Sequence, residues 1–109
     1  MDKILSYISL AKKAGKVSAG FEEVSHNILM NQVFLVLLTE DLSPKTIKNI
    51  SFVCEKNNVN VLKLKTDMMR IEKLINKRSG IIAIKDEGFA AAIVKAFVKY
   101  MEDADVSKI

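Results

Sequence analysis

The chain is expected to fold as a small α/β domain, with helices on both faces of a central sheet of about four strands. Short apolar runs alternate along it with segments whose apolar residues recur at helical spacing, which is the order expected of such a fold. Its 109 residues suffice for one compact domain and fall short of two ordinary ones. Half of them are hydrophobic and 28% are charged, a globular composition with no low-complexity segment or internal repeat.

Ile4, Ile8 and Ala11, with Leu5 alongside, form a first helical stripe that stops near Gly15. A weak strand is expected around Lys16–Ser18. Gly20 then precedes a second helical stripe of Phe21, Val24 and Ile28. The run from Val33 to Leu38 is apolar throughout, as in a strand covered on both faces, although a buried helix reads alike over so few residues. Ser43-Pro44 reads as an N-cap followed by proline at the first helical position. Ile47, Ile50 and Cys54 continue that helix, and Asn57-Asn58 ends it. A second strand lies within Val59–Leu64, and Thr66 can cap a brief helix carrying Met68, Ile71 and Ile75. Ile81–Ile84 forms another buried strand. The last helix has the clearest stripe, with Phe89, Ile93, Ala96, Phe97 and Tyr100. Residues 1–101 are read as a single domain, and Glu102 to Ile109 as a polar, frayed tail.

Composition excludes several kinds of chemistry. One cysteine, Cys54, precludes an internal disulfide, and with one histidine the chain cannot supply a cysteine/histidine zinc site. No apolar stretch approaches the ~20 residues of a membrane span, and the apolar start is interrupted by Lys12 and Lys13. The expectation is a soluble cytoplasmic protein. Gly15 and Gly20 lack the Lys-Ser/Thr ending of a phosphate-binding loop. A Glu23–Ser25–His26 triad is discounted, because adjacent helical residues point to different sides. Cys54 lies on an apolar helix face, as an inert buried thiol does, and the five methionines read as core filler. No cofactor and no catalytic residue is expected.

Seventeen Lys and Arg against thirteen Asp and Glu give a formal net charge of +4, which permits an anionic partner. Lys12, Lys13 and Lys16 flank Gly15, while Lys77 and Arg78 precede Ser79-Gly80 in a loop. Either cluster alone reads as a solvated surface, and lysines at a helix C-terminus also offset its dipole. Gly20-Phe21-Glu22-Glu23 opens the second helix, where acidic residues stabilise the positive end. The same carboxylates can accept N–H groups from the edge of an unpaired or sheared guanine, while nearby lysines hold phosphate. Such reading targets irregular RNA, because the deep major groove of an A-form duplex hides its base edges.

A longer pattern joins these pieces. Leu10-Ala11-Lys12-Lys13-Ala14-Gly15-Lys16-Val17 is followed by Gly20, then Glu23-Val24, then Leu35-Val36-Leu37-Leu38-Thr39-Glu40-Asp41. Cys54-Glu55, Asn58-Val59 and Ile82-Ala83-Ile84-Lys85-Asp86-Glu87-Gly88-Phe89 follow. In this order and spacing the chain resembles the ribosomal L7Ae/L30e family, including its small bacterial members, from about Leu5 to Phe89. The resemblance implies a three-layer α/β/α sandwich around a mixed sheet of about four strands (L30e-like). It also implies binding to kink-turn or similarly bent RNA. In the family an Asn-Glu pair at the start of the second helix contacts tandem G·A pairs, with a lysine three residues after the Glu. A loop before the last strand covers bulged nucleotides. Glu23 stands at the glutamate and Gly20 at the glycine before it, while Glu22 replaces the Asn and His26 the lysine. Ionised Glu22 can only accept hydrogen bonds, unlike the Asn it replaces.

The site expected from the sequence is Lys13, Lys16, Gly20, Phe21, Glu22, Glu23, His26, Lys77, Arg78 and Ser79, with Asn76–Gly80 as the covering loop. The expected role is non-enzymatic recognition of bent structured RNA, ribosomal RNA or a kink-turn-like element. Ribosomal or other protein partners fit the same fold. The acidic Glu22-Glu23 pair also suits a protein-interaction module without high-affinity kink-turn binding.

Overall fold

The computed structural model describes residues 1–107. It contains α1 (Asp2–Lys13), β1 (Val17–Ala19), α2 (Phe21–Leu29), β2 (Leu35–Leu38) and α3 (Pro44–Lys56). These are followed by β3 (Asn60–Lys63), α4 (Met68–Ile75), β4 (Ile81–Ile84) and α5 (Glu87–Ser107). The strands form one mixed sheet in the order β1-β4-β2-β3. β2 and β3 are parallel, with Leu35 opposite Asn60. β4 runs against both its neighbours, pairing Ile84 with Val17 on one side and with Leu35 on the other.

The continuous apolar runs conceal a period of two. Leu35 and Leu37 of β2, with Ile82 and Ile84 of β4, face one core together with Ile4, Ile8, Ile71 and Ile93. Val36 and Leu38, with Ile81 and Ala83, face a second core containing Val24, Ile28, Ile50 and Cys54. Helices α1, α4 and α5 therefore cover one face, while α2 and α3 cover the other. This is the three-layer α/β/α sandwich, and the strand-or-helix ambiguity of Val33–Leu38 resolves to a strand at Leu35–Leu38, with Val33 and Phe34 before it. Burying each large aliphatic side chain contributes on the order of 1.5–3 kcal/mol, so two such cores hold the sheet from both sides.

Local chemistry sets most helix ends. Ser43 Oγ accepts from the Thr46 amide at 3.2 Å, with Pro44 at the first helical position. Asn58 adopts a left-handed conformation after α3 (φ 58°), which asparagine tolerates. Three expectations are corrected. The first strand is Val17–Ala19, one residue later than read. The cap of α4 is Asp67, whose carboxylate accepts from the Arg70 amide at 2.9 Å, whereas Thr66 is buried beneath it. Finally, α5 continues through Ser107, with no Gly or Pro to stop it at Glu102. Of the tail expected at 102–109, the last two residues lie outside those described.

Gly80, at the entrance to β4, has no room for a side chain. A Cβ there would lie 2.5 Å from both Leu42 Cδ2 and Thr39 Oγ1. Gly80→Ala should therefore lower unfolding stability by about 1–3 kcal/mol in urea titrations. An unchanged midpoint would mean that Leu42 and Thr39 give way freely.

Cys54 is fully buried, and burial pushes its thiol up to about 11 from an ordinary 9.0. A raised folded-state value means that stability is present below pH 9 and is lost as pH rises from 9 to 11. The stability difference between this chain and Cys54→Ala should shrink by about 2–3 kcal/mol between pH 8 and pH 11. A pH-independent difference would contradict the shielding of the thiol.

Candidate functional site

Because β4 opposes both its neighbours, β1, β2 and β3 all point the same way. Each is followed by a helix, so α2, α3 and α4 all begin at one edge of the sheet. Helix N-termini carry partial positive charge and free amide hydrogens, and this end of an open α/β sheet is where ligands commonly bind. The loop of residues 76–80 returns to the same edge to start β4.

The β1–α2 turn is tied down at this edge from two directions. Gly20 has φ 98° and ψ 148°, a conformation that suits glycine, and its amide donates to the Ile81 carbonyl at 3.0 Å. Glu23, in the first turn of α2, reaches back so that Oε2 accepts from the Ala19 amide at 2.9 Å. This resembles a capping box, in which an acidic side chain satisfies an amide before the helix. Lys77 arrives from the opposite loop, donating to the Ala19 carbonyl at 2.6 Å with Nζ 3.7 Å from Glu23 Oε2. Both side chains are about half exposed (53% and 55%), so the ion pair contributes little stability. Its consequence is positional. A carboxylate and an ammonium are held side by side over a recess of about 160 Å³, with Lys12 at its rim.

The expected site residues divide among several places. Gly20, Glu23 and Lys77 meet directly. Phe21 and Glu22 are exposed beside them, and His26 is exposed one turn further along α2. Arg78 is exposed and lies 3.7 Å from Glu72. Ser79 is buried, its hydroxyl donating to the Ile81 carbonyl and accepting from the Ile81 amide, both at 3.1 Å. It therefore shapes the loop from within. Asp41 also belongs to this edge, accepting from the Met68 amide at 3.3 Å. The neighbouring Thr39 side chain, that amide and the Arg78 cation hold its carboxyl below the ordinary value. The Ser25 hydroxyl has no hydrogen-bond partner among the described residues, so no Ser25–His26 pair is assembled.

Lys16 does not join this group. β1 runs from Val17 opposite Ile84 to Ala19 opposite Ile82, which leaves Lys16 at the far end of the sheet beside Lys85. Lys13 is exposed on the last turn of α1 and does not line this recess. Lys12 is the residue that was missed, although a signal for it existed. At about 100° per residue, Lys12 falls between Leu5 and Ile8 on the buried side of α1, and Lys13 on the opposite side.

The sequence matches the model of the Ribosomal protein L7Ae/L30e/S12e/Gadd45 family over residues 2–94, which include the α2 start and the 76–80 loop. The chain belongs to this family. The L7Ae/L30e chain described here is 30% identical over 87 residues to RNA-binding protein YlxQ of Bacillus subtilis (strain 168). That alignment covers 80% of this chain and 87% of the relative. A solved structure of a protein of unknown function from Bacillus halodurans C has a TM-score of 0.80 and 27% identity, covering 87% of this chain and 96% of its own. The Giardia lamblia 15.5kD RNA binding protein shares the fold, with a TM-score of 0.74 at 13% identity, covering 89% of this chain and 83% of its own. Among the described residues of this L7Ae/L30e member, no helix is long and apolar enough to cross a membrane.

Gly20→Ala tests the turn on which the site is built. A Cβ at this positive φ is strained and would sit 3.4 Å from Lys77 Nζ. The substitution should lower stability by about 1–3 kcal/mol in thermal or urea unfolding. An unaltered melting curve would show that the turn relaxes without penalty.

Proposed function

We propose that this protein binds bent, structured RNA of the kink-turn kind through the edge carrying Glu23 and Lys77, and catalyses no reaction. Ribosomal RNA is the partner class that the family description favours. The observation that carries the reading is the fixed juxtaposition of one carboxylate and one ammonium at the start of α2. An RNA-binding relative and a net charge of +4 support it.

Glu23 uses one carboxylate oxygen to hold Ala19 and turns the other to the N–H groups of a sheared guanine. Glu22, beside it, offers a second acceptor. Lys12, Lys77 and Arg78 hold phosphate by charge, since cation–phosphate contacts supply most of the sequence-independent affinity. Phe21 and the 76–80 loop, shaped by Ser79, pack on displaced bases or sugar, while Gly20 lets the backbone approach. His26, exposed one turn further along α2, stands where family members carry lysine.

Fluorescence anisotropy with an RNA duplex interrupted by a three-nucleotide bulge and tandem G·A pairs, against an uninterrupted duplex, tests this reading. Glu23→Gln keeps an acceptor for Ala19 and removes the charge. It should weaken binding of the bent RNA by about 1–3 kcal/mol while leaving the fold intact. Replacing Lys77 and Arg78 by glutamine should flatten the dependence of log K on log salt by about 0.7–0.9 per lost contact. Unchanged affinity in Glu23→Gln would remove that residue from the site, and an unaltered slope would remove the two cations.

A further inference from the structure

Lys16 sits in a second assembly at the opposite end of the sheet. The Lys85 amide donates to the Lys16 carbonyl at 2.8 Å, and the Phe34 amide donates to the Ile84 carbonyl at 2.9 Å. These two bonds extend the ladder past both sides of β4 and hold Lys16, Lys85 and Phe34 around its end. With Gly15 and Gln32 they line a recess of about 290 Å³. Gly15 has φ 73°, and a Cβ there would meet no atom within 4 Å, so the backbone is open to the recess. Phe34 is 46% exposed although it continues the apolar run into β2, which is otherwise buried throughout.

The electrostatics of this recess are one-sided. No carboxylate lines it, and neither lysine forms an ion pair among the described residues. The neighbouring Asp86 is directed elsewhere, its Oδ2 accepting from the Phe89 amide at 2.8 Å at the start of α5. An exposed aromatic ring beside two ammonium groups, with an amide side chain in the same recess, has the components of a single-stranded nucleic-acid subsite. The ring stacks on a base, the lysines hold flanking phosphates, and the Gln32 amide offers a donor and an acceptor to the base edge. A paired duplex keeps its base faces stacked inside, so the fitting occupant is unpaired.

We propose that the Lys16–Phe34–Lys85 recess binds an unpaired RNA segment, which gives the protein a second RNA contact at the edge opposite Glu23. The inference rests on the reading of the protein as RNA-binding but uses none of the residues of the first site. It makes the protein a bridge between two parts of one RNA, or between two RNAs. The separation is set by β1, whose three residues at about 3.3 Å each place the two edges about 10 Å apart along the backbone.

The test uses fluorescein-labelled ten-nucleotide oligo(U) and oligo(A) at low salt, with the full chain and four variants. Phe34→Ala should weaken oligonucleotide binding by five-fold or more with an unchanged salt slope, and Phe34→Trp should restore it. The double variant Lys16→Gln/Lys85→Gln should weaken it about ten-fold and lower the salt slope by about 1.4. Glu23→Gln should leave it within two-fold. Oligonucleotide binding indifferent to Phe34, or a competing acidic peptide that needs the two lysines where the oligonucleotides do not, would overturn the proposal. Loss of oligonucleotide binding in Glu23→Gln would overturn it as well, since there would then be one site. The readouts separate the two claims: bent-duplex affinity reports on Glu23, oligonucleotide affinity on Phe34. Because Phe34 is half exposed, its truncation should leave the melting temperature nearly unchanged.

Discussion

β4 lies between β1 and β2 and runs against both, and each edge of the sheet is positioned by that ladder. Its first residues meet the last residues of its neighbours: the Gly20 amide bonds to Ile81 and the Thr39 amide to Gly80. Its last residues meet their beginnings, through Lys16 with Lys85 and Phe34 with Ile84. A register shift of one residue would turn Ile82 and Ile84 out of one core and Ile81 and Ala83 out of the other. The hydrophobic packing of four residues thus dictates where two sets of polar groups stand. The absence of space at Gly80 reinforces this, because β4 can begin only where its backbone passes tightly beneath Leu42 and Thr39.

Charge is distributed on this frame in two different ways. At the Glu23 edge, cations and carboxylates are interleaved: Lys77 with Glu23, Arg78 with Glu72, and Asp41 at the α4 terminus. Half-exposed pairs of this kind are readily exchanged for contacts with an incoming ligand, since water already screens them. On the proposed reading, this edge discriminates, because its carboxylate would favour bases that present N–H groups. At the Lys85 end the lysines face no acid within the recess, so the proposed phosphate contacts there would be made without comparable selectivity. The net charge of +4 is therefore less informative than its division between the two ends.

Much of the architecture was legible locally. Proline at the first turn of α3, asparagine after it and uninterrupted aliphatic runs bounded by polar residues each report short-range physics. The Gly20–Glu23 start of α2 was legible too, through the preference of acidic groups for helix N-termini. Thr66 was mistaken for a cap because Thr and Asp are both good caps and stand side by side. The choice fell to Asp67 when packing buried Thr66. Lys12 and Lys13 could have been separated by helical phase, but as sequence neighbours they look equivalent.

What the chain determined by itself was therefore its elements, their faces and the chemistry at the mouth of α2, because propensity, capping and hydrophobic period act over a few residues. Only the tertiary structure decided which cations share an edge. Lys16 is seven residues from Glu23 and Lys77 is fifty-four, yet the distant lysine makes the contact while the near one lies at the other end of a strand. Separation along a chain does not measure separation in a sheet: strand direction assigns each residue to one edge or the other, and that direction is set by pairing among segments far apart in sequence.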